Sequence, residues 1–203
     1  MTAMGERWIL ASASPRRQEL LAKLGIPFLV EPAGHEPPVD PALPPEQAVL
    51  AVARAKAEEV VRRYPDSVVL GADTAVILPE KNGETVLGKP QDAAEAADML
   101  RRLSGRSHRV LTAVWLCTAA GGDGFCDAAA VSFYPLTEAE IAAYAASGEP
   151  LDKAGAYAIQ GRGMRFIRGI EGDFYTVMGL PAARLWHFAA EKGILPEGTE
   201  FFV

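Results

Sequence analysis

Residues 8–25, WILASASPRRQELLAKLG, place an apolar strand directly before a helix. The run Trp8–Ala11 predicts a buried strand. Ser14 is a typical N-cap and Pro15 a typical first helical residue, and the leucines after them recur at helical spacing until Gly25. A strand, a short polar loop and a helix in this order are the building unit of an α/β fold.

The remainder of the chain continues this alternation of strands and helices. Predicted helices cover Glu46–Tyr64 and Ala93–Leu103, run from Thr137 to Ser147 and follow Pro181. Predicted strands cover Ser67–Ala72, Val110–Thr118 and Cys126–Tyr134, with a hairpin around Asn82–Gly83. The chain has 203 residues, near the usual size of one compact domain. We therefore predict a single α/β domain over residues 1–203, with a mixed twisted sheet flanked by helices.

Composition excludes several classes of protein. A net charge of -6 argues against general nucleic-acid binding, because such a surface releases few counterions from a phosphate backbone. With only Cys117 and Cys126, the chain has no disulfide framework and no cysteine-rich zinc pattern. The apolar run Trp8–Leu10 is too short for a signal peptide, and no stretch is long enough to span a bilayer. We expect a cytoplasmic protein without nucleic-acid or membrane partners.

The junction Ser12–Arg17 is a candidate phosphate site. A helix N-terminus presents unpaired N–H groups and the positive end of the helix dipole, both of which suit an anion. The dipole disfavours Arg16 and Arg17 in the first turn, and a bound anion would reverse that effect. The alternative is an ordinary cap with solvated arginines.

Asp73 and Lys56 are two further candidates. Asp73 follows an apolar strand that is expected to end at Leu70, and a carboxylate there can hold a divalent cation or activate a water. The alternative is a turn aspartate that accepts backbone N–H bonds. Lys56 lies on the apolar stripe of its helix with Val52 and Val60, so its charge needs a partner unless its amine reaches water.

Two loops carry the remaining candidates. Pro90 favours an extended backbone at Lys89 and so projects its amine, although surface lysines are common. In the glycine-rich segment Leu151–Gly161, Asp152 suits a metal and Lys153 a phosphate; a structured loop without a ligand is the alternative. The three histidines lack zinc-ligand spacing, and the chain has no Walker-type phosphate loop.

In order and spacing, these motifs resemble the Maf family from about Ile9 to about Leu185. The matching motifs are Ser12–Arg17, Gly71–Thr74, Leu87–Pro90, Leu103–Gly105 with His108, and Asp152–Gly155. The resemblance implies a two-lobed fold around a central cleft, of the Maf and ITPase-like type, and a homodimer. It also implies hydrolysis of the α–β phosphate bond of nucleoside triphosphates with magnesium or manganese.

The resemblance also implies residue roles. Asp73 takes the place of the family's catalytic acid, which activates water. The resemblance also places Arg16, Arg17, Lys56 and Lys89 around the triphosphate. We expect Ser12, Ser14, Thr74, Lys153 and Gln160 to bind the substrate with them. Glu36 matches a glutamate of the family's acidic loop and is implied as a metal ligand, and we expect Asp73 and Asp152 to hold the metal with it. His35 stands where an aspartate is usual in the family.

Base preference follows from Ala156–Gln160, which is similar to the family branch that acts on dTTP and UTP. The neutral amide of Gln160 can donate and accept hydrogen bonds at the edge of an uncharged pyrimidine. We expect Arg16, Thr74 and Gln160 to determine specificity. The alternatives are a pyrophosphatase for 7-methyl-GTP or modified nucleotides, and a nucleotide-binding regulator of cell division and septum formation.

Overall fold

The computed structural model describes residues 7–35, 37, 40–196 and 199, and in this part of the chain it has one seven-stranded sheet with helices. The strands are β1 (Arg7–Leu10), β2 (Phe28–Val30), β3 (Ser67–Glu80), β4 (Gly83–Leu87), β5 (Ser107–Thr118), β6 (Gly121–Phe133) and β7 (Ile167–Glu171). The helices are α1 (Pro15–Lys23), α2 (Pro45–Val61), α3 (Ala93–Leu103), α4 (Glu138–Ala145), α5 (Phe174–Met178) and α6 (Ala182–Glu191). Short 3₁₀ turns cover Glu149–Asp152, Ala154–Ala156 and Arg162–Phe166.

The sheet contains both parallel and antiparallel strand pairs. Its strand order is β2-β1-β3-β5-β6-β7, and β4 pairs with β3 outside this path. β1 lies parallel to both β2 and β3, with Ile9 opposite Leu29 on one side and Val69 on the other. β4 is antiparallel to β3, and β7 is antiparallel to β6. The predicted α/β class with a mixed sheet is therefore confirmed.

The chain divides into two compact units, in agreement with the predicted two-lobed organisation. The first unit comprises Met1–Asp73, Thr112–Asp127 and Gly179–Val203, and the second comprises Thr74–Leu111 and Ala128–Met178. Strands β3, β5 and β6 contribute residues to both units. No helix in the described ranges is both long enough and apolar enough to cross a membrane.

In the first unit, helix α2 packs closely against strand β3. Its buried face contributes Ala57 and Val60 to an apolar cluster that contains Val69 of β3. At Gly71 the two backbones come so near that an added Cβ would overlap Ala53 O and lie 2.9 Å from Ala57 Cβ. Glycine permits this close approach because it has no side chain.

The second unit is built around helix α3. Asp92 caps this helix by accepting a 2.8 Å hydrogen bond from Glu95 N. The buried side chains of α3 belong to an aromatic-rich core that includes Phe133 and Phe166. The capping box predicted at Thr137 and Glu140 is present at the start of α4.

Strand β3 differs from its prediction. It was expected to end near Ala72 but continues to Glu80, so Asp73 lies within a strand rather than after one. β3 pairs with β1 as far as Leu70 and with β4 from Val76 onwards, and it also lies next to β5 in the sheet, so strands on both of its sides offer hydrogen-bond partners to its backbone. The predicted hairpin is confirmed, with Glu80 opposite Gly83.

Candidate active site

Lys56 and Asp73 form a buried ion pair in the first unit. The distance from Lys56 Nζ to Asp73 Oδ1 is 2.7 Å, and the two side chains are 9% and 11% exposed. The position of Lys56 on the apolar side of α2 is confirmed, and Asp73 is the partner that its charge needs. Removing one partner of a buried pair leaves the other charge uncompensated, at a cost of about 3–5 kcal/mol.

This arrangement gives the Asp73 carboxylate a fixed position. One of its oxygens accepts a hydrogen bond from Lys56, and the backbone that carries it is part of a long strand. A carboxylate held in this way can bind a cation or accept a proton from a water without first reorganising. The alternative of a turn aspartate is wrong, because Asp73 lies within β3.

The Ser12–Arg17 junction is also held by its own side chains. The Ser12 hydroxyl accepts hydrogen bonds from Ser14 N at 3.3 Å and from Arg17 Nη1 at 3.0 Å. Arg17 Nε donates to Gly179 O at 2.9 Å, so the Arg17 side chain is bound to the protein rather than solvated. Ser14 occupies the predicted N-cap position of α1. Arg16 in the first turn is half-buried.

The first turn of α1 therefore has an unusual electrostatic character. It contains two arginines and no acidic residue, and Ser14 makes no side-chain capping hydrogen bond to it. The positive end of the helix dipole and two guanidinium groups thus occur in the same short segment. An anion would be stabilised by both.

In the second unit, the structure brings the two predicted loops together. Lys89 is exposed after β4, and Gly155 N donates a 3.0 Å hydrogen bond to Gly88 O beside it. Lys153, whose side chain is 12% exposed, forms an ion pair with the exposed Asp152. Gly155 has φ 69°, and a Cβ there would lie 2.7 Å from Val76 Cγ2. Glycine thus meets both a conformational and a steric requirement at this position.

Tyr157 is fixed by a histidine for which sequence analysis gave no role. His108 Nε2 and the Tyr157 hydroxyl are 2.8 Å apart, and both residues are buried. Both rings also pack edge-on against Phe133. Burial lowers the pKa of His108 to about 4 and raises the pKa of Tyr157. A neutral His108 therefore fixes the segment that leads to Gln160, which is itself exposed in a turn.

We expect this buried histidine to make the protein acid-sensitive. The pKa of His108 falls from about 6.5 to about 4 on folding, so between about pH 6.5 and pH 4 the unfolded chain binds a proton that the folded chain does not. Stability should therefore fall by about 2 kcal/mol from pH 7 to pH 4.5 through this residue. Urea unfolding at both pH values measures the loss.

The His108→Gln variant should show a smaller loss, because glutamine does not titrate. His187→Gln, at an exposed histidine, is the matched control and should retain the full loss. Equal pH dependence in all three proteins would contradict the assignment to His108.

Only part of the predicted metal site lies within the described residues. Glu36 lies outside the described residues, and the preceding His35 has its Nδ1 3.3 Å from Glu59 Oε2. Within the described ranges, no group of three or more histidine, cysteine or acidic side chains is placed to hold a metal. Mg²⁺ is commonly held by one or two carboxylates together with substrate phosphates, and the fixed carboxylate of Asp73 fits that requirement.

Comparisons with known proteins agree with the motifs. A family model described as Maf-like protein matches residues 7–192. A dTTP/UTP pyrophosphatase of Bacillus velezensis is 50% identical over 191 residues, covering 94% of this chain and 99% of the relative. One of Moorella thermoacetica is 50% identical over 188 residues, covering 92% and 95%.

A solved structure, a nucleoside-triphosphatase / dITP/XTP pyrophosphatase from Mycobacterium abscessus, matches with a TM-score of 0.49 and 17% identity over 93% of this chain and 95% of that one. The family model spans nearly the whole described chain, and the relatives share half of its residues. The chain belongs to the Maf-like protein family.

Proposed function

We propose that this protein is a pyrophosphatase that hydrolyses dTTP and UTP, and that the products are the nucleoside monophosphate and inorganic diphosphate. The observation that carries the proposal is the buried ion pair of Lys56 and Asp73, which holds a carboxylate in place within a strand. The names of the relatives at 50% identity support the reaction and the substrates. The proposed role of the protein is to remove dTTP, UTP or chemically modified forms of these nucleotides from the nucleotide pool.

In the proposed reaction, Asp73 accepts a proton from the attacking water. The water oxygen forms a bond to a phosphorus of the α–β anhydride, and the bond to the bridging oxygen breaks to release diphosphate. Lys56 maintains the position of the Asp73 carboxylate through the 2.7 Å contact. Such transfers depend mainly on alignment and on neutralisation of charge, which cationic side chains provide.

The proposed substrate contacts follow from the chemistry of each side chain. Hydroxyl and cationic groups are assigned to the phosphates: Ser12, Ser14, Arg16, Arg17, Lys56, Lys89 and Lys153. Arg16, Thr74 and Gln160 are assigned to substrate specificity. The charge of the first turn of α1 supports the phosphate assignment. The exposure of Gln160 supports a contact with a ligand rather than a role in the core.

Asp73, Asp152 and Glu36 are the proposed ligands of a divalent metal, magnesium or manganese. A bound metal would neutralise phosphate charge and polarise the bond that breaks. Asp73 is supported by its fixed carboxylate, and Asp152 by its exposed position beside Lys153. The Maf resemblance is the support for Glu36.

We also propose that the chain is a single functional domain, acts in the cytoplasm and forms a homodimer. The support for one domain is that two relatives match along 99% and 95% of their own length. The homodimer is supported by the Maf resemblance. Light scattering during size-exclusion chromatography measures the mass in solution, and a monomer at micromolar concentration would contradict it.

The deciding experiment is a nucleotide panel with Mg²⁺ or Mn²⁺, in which the products are separated by ion-exchange chromatography. We expect dTTP and UTP to give the nucleoside monophosphate and inorganic diphosphate, with slower turnover of purine nucleotides. Preferred turnover of 7-methyl-GTP would favour the alternative pyrophosphatase. Tight binding of nucleotides without any turnover would instead favour a regulator and overturn the proposal.

A further inference from the structure

The turn that carries Gln160 is held on both sides by two side chains from outside it. Before Gln160, the backbone N–H of Ala158 donates a 3.0 Å hydrogen bond to the Tyr144 hydroxyl. After Gln160, the backbone N–H groups of Arg162 and Gly163 donate to the Glu149 carboxylate, at 3.1 Å and 3.3 Å.

Tyr144 and Glu149 act as one connected pair. The Tyr144 hydroxyl donates a 2.8 Å hydrogen bond to Glu149 Oε1. The same hydroxyl accepts the hydrogen bond from Ala158 N, so it links the residue before the turn to the carboxylate that holds the residues after it. Tyr144 is 1% exposed, and its ring packs edge-on against Phe166 at 5.0 Å. The pair is therefore fixed to the core of the second unit.

The turn fits closely around the Glu149 carboxylate. A Cβ at Gly161 would lie within 2.8 Å of all three atoms of the Glu149 carboxylate group, so a larger residue there would displace that carboxylate. Burial acts to raise the pKa of Glu149, but hydrogen bonds from Arg162, Tyr144 and Gly163 together with the charge of Lys153 hold it below its ordinary value. An ionised carboxylate accepts hydrogen bonds without donating any, which matches its three donors.

We propose that Glu149 and Tyr144 are positioning residues that set base selectivity by holding Gln160 in place, an inference that rests on the proposed function. Gln160 itself is exposed, while the backbone on both sides of it is hydrogen-bonded to this pair. A side chain on a pre-ordered turn loses less conformational freedom when it binds a ligand. The pair lies on the base-selecting part of the proposed site, so its effect falls on recognition rather than on phosphate chemistry.

The test measures kcat and KM for dTTP and CTP in Glu149→Gln and Tyr144→Phe. We expect the KM for dTTP to rise about 10-fold, the preference for dTTP over CTP to fall by a similar factor, and kcat to change less than about 3-fold. Glu84→Gln, which removes an exposed partner of Arg109 in the same unit, is the control for losing a carboxylate. Tyr134→Phe, at an exposed tyrosine, is the control for losing a hydroxyl.

A double-mutant cycle with Gln160→Ala separates positioning from general stability. If the pair acts through Gln160, Glu149→Gln should change selectivity no further once Gln160 is alanine. Amide hydrogen exchange provides a second readout: Ala158, Arg162 and Gly163 should exchange faster in Glu149→Gln, while the global unfolding midpoint changes little.

The outcomes separate the positioning role from the proposed pyrophosphatase activity. A wild-type protein that does not turn over dTTP or UTP overturns both. Wild-type turnover together with unchanged selectivity in both variants, or with full effects that persist in the Gln160→Ala background, overturns the positioning role alone. Loss of selectivity that vanishes in that background supports it.

Discussion

The Asp73→Asn variant is expected to lower kcat for dTTP about 1000-fold, since loss of a general base costs roughly 10²–10⁴ in rate. Asparagine has nearly the same shape and retains an oxygen that can accept the hydrogen bond from Lys56 Nζ. It lacks the negative charge that binds a cation and the basicity that accepts a proton from water. Steady-state kinetics with Mg²⁺ or Mn²⁺ measure the loss.

The control must separate chemistry from stability, because Asp73 also neutralises the buried Lys56. Asp73→Asn leaves that charge without its partner, which we expect to cost about 3 kcal/mol in the free energy of unfolding. The double variant Asp73→Asn/Lys56→Met removes the charge as well and should recover much of the stability. Activity should stay low in the double variant, because the carboxylate is still missing.

Asp66→Asn, at an exposed aspartate just before β3, is the matched control for loss of a carboxylate. It should leave both kcat for dTTP and the free energy of unfolding unchanged. A folded Asp73→Asn protein with the kcat of the wild type would contradict the role of Asp73. Recovery of activity in the double variant would show instead that Asp73 serves only to neutralise Lys56.

Local sequence patterns predicted much of the fold. The N-cap and first turn of α1, the capping box of α4 and the hairpin between β3 and β4 all depend on residues within a few positions of each other. The apolar stripe of α2 also placed Lys56 on the buried side of its helix. Each of these features is fixed by short-range geometry, so the sequence alone contains the information.

Features that depend on distant partners could not be predicted in this way. The extension of β3 past Asp73 depends on pairing with strands that come later in the chain, β4 and β5, as well as with β1. The three-residue strand β2 is too short for a periodic signal and exists because it pairs with β1. A single sequence does not show which strands will be neighbours.

The site shows the same division between local and distant information. The motif resemblance pointed to Asp73, Lys56 and Gln160 as single residues, but not to the contact between the first two. Glu149 and Tyr144 were missed because their partners are backbone N–H groups 13 to 14 positions away, which leave no side-chain pattern. The glycines at 161 and 163 indicate a compact turn, and this was the one feature of the sequence that pointed to residues supporting it.

The Gly71→Ala variant is expected to lose at least about 3 kcal/mol of unfolding free energy, because the new methyl group would meet backbone rather than flexible side chains. Its Cβ would overlap Ala53 O and lie 3.0 Å from Ala57 N, both in helix α2. A helix backbone cannot yield locally, so α2 must move away from β3. Urea denaturation measures the loss, with Gly169→Ala, whose Cβ would meet nothing within 4 Å, as the control.

The same substitution should also impair catalysis, because Lys56 lies on the helix that must move and Asp73 lies two residues beyond Gly71. A shift of α2 by about 1 Å moves the backbone that carries Lys56 and disturbs the 2.7 Å contact between Lys56 Nζ and Asp73 Oδ1, which fixes the carboxylate. We expect kcat for dTTP to fall about 100-fold at a temperature where Gly71→Ala is still folded. Full activity in a folded but destabilised variant would show that the close packing at Gly71 serves stability alone and that the ion pair tolerates displacement of its helix.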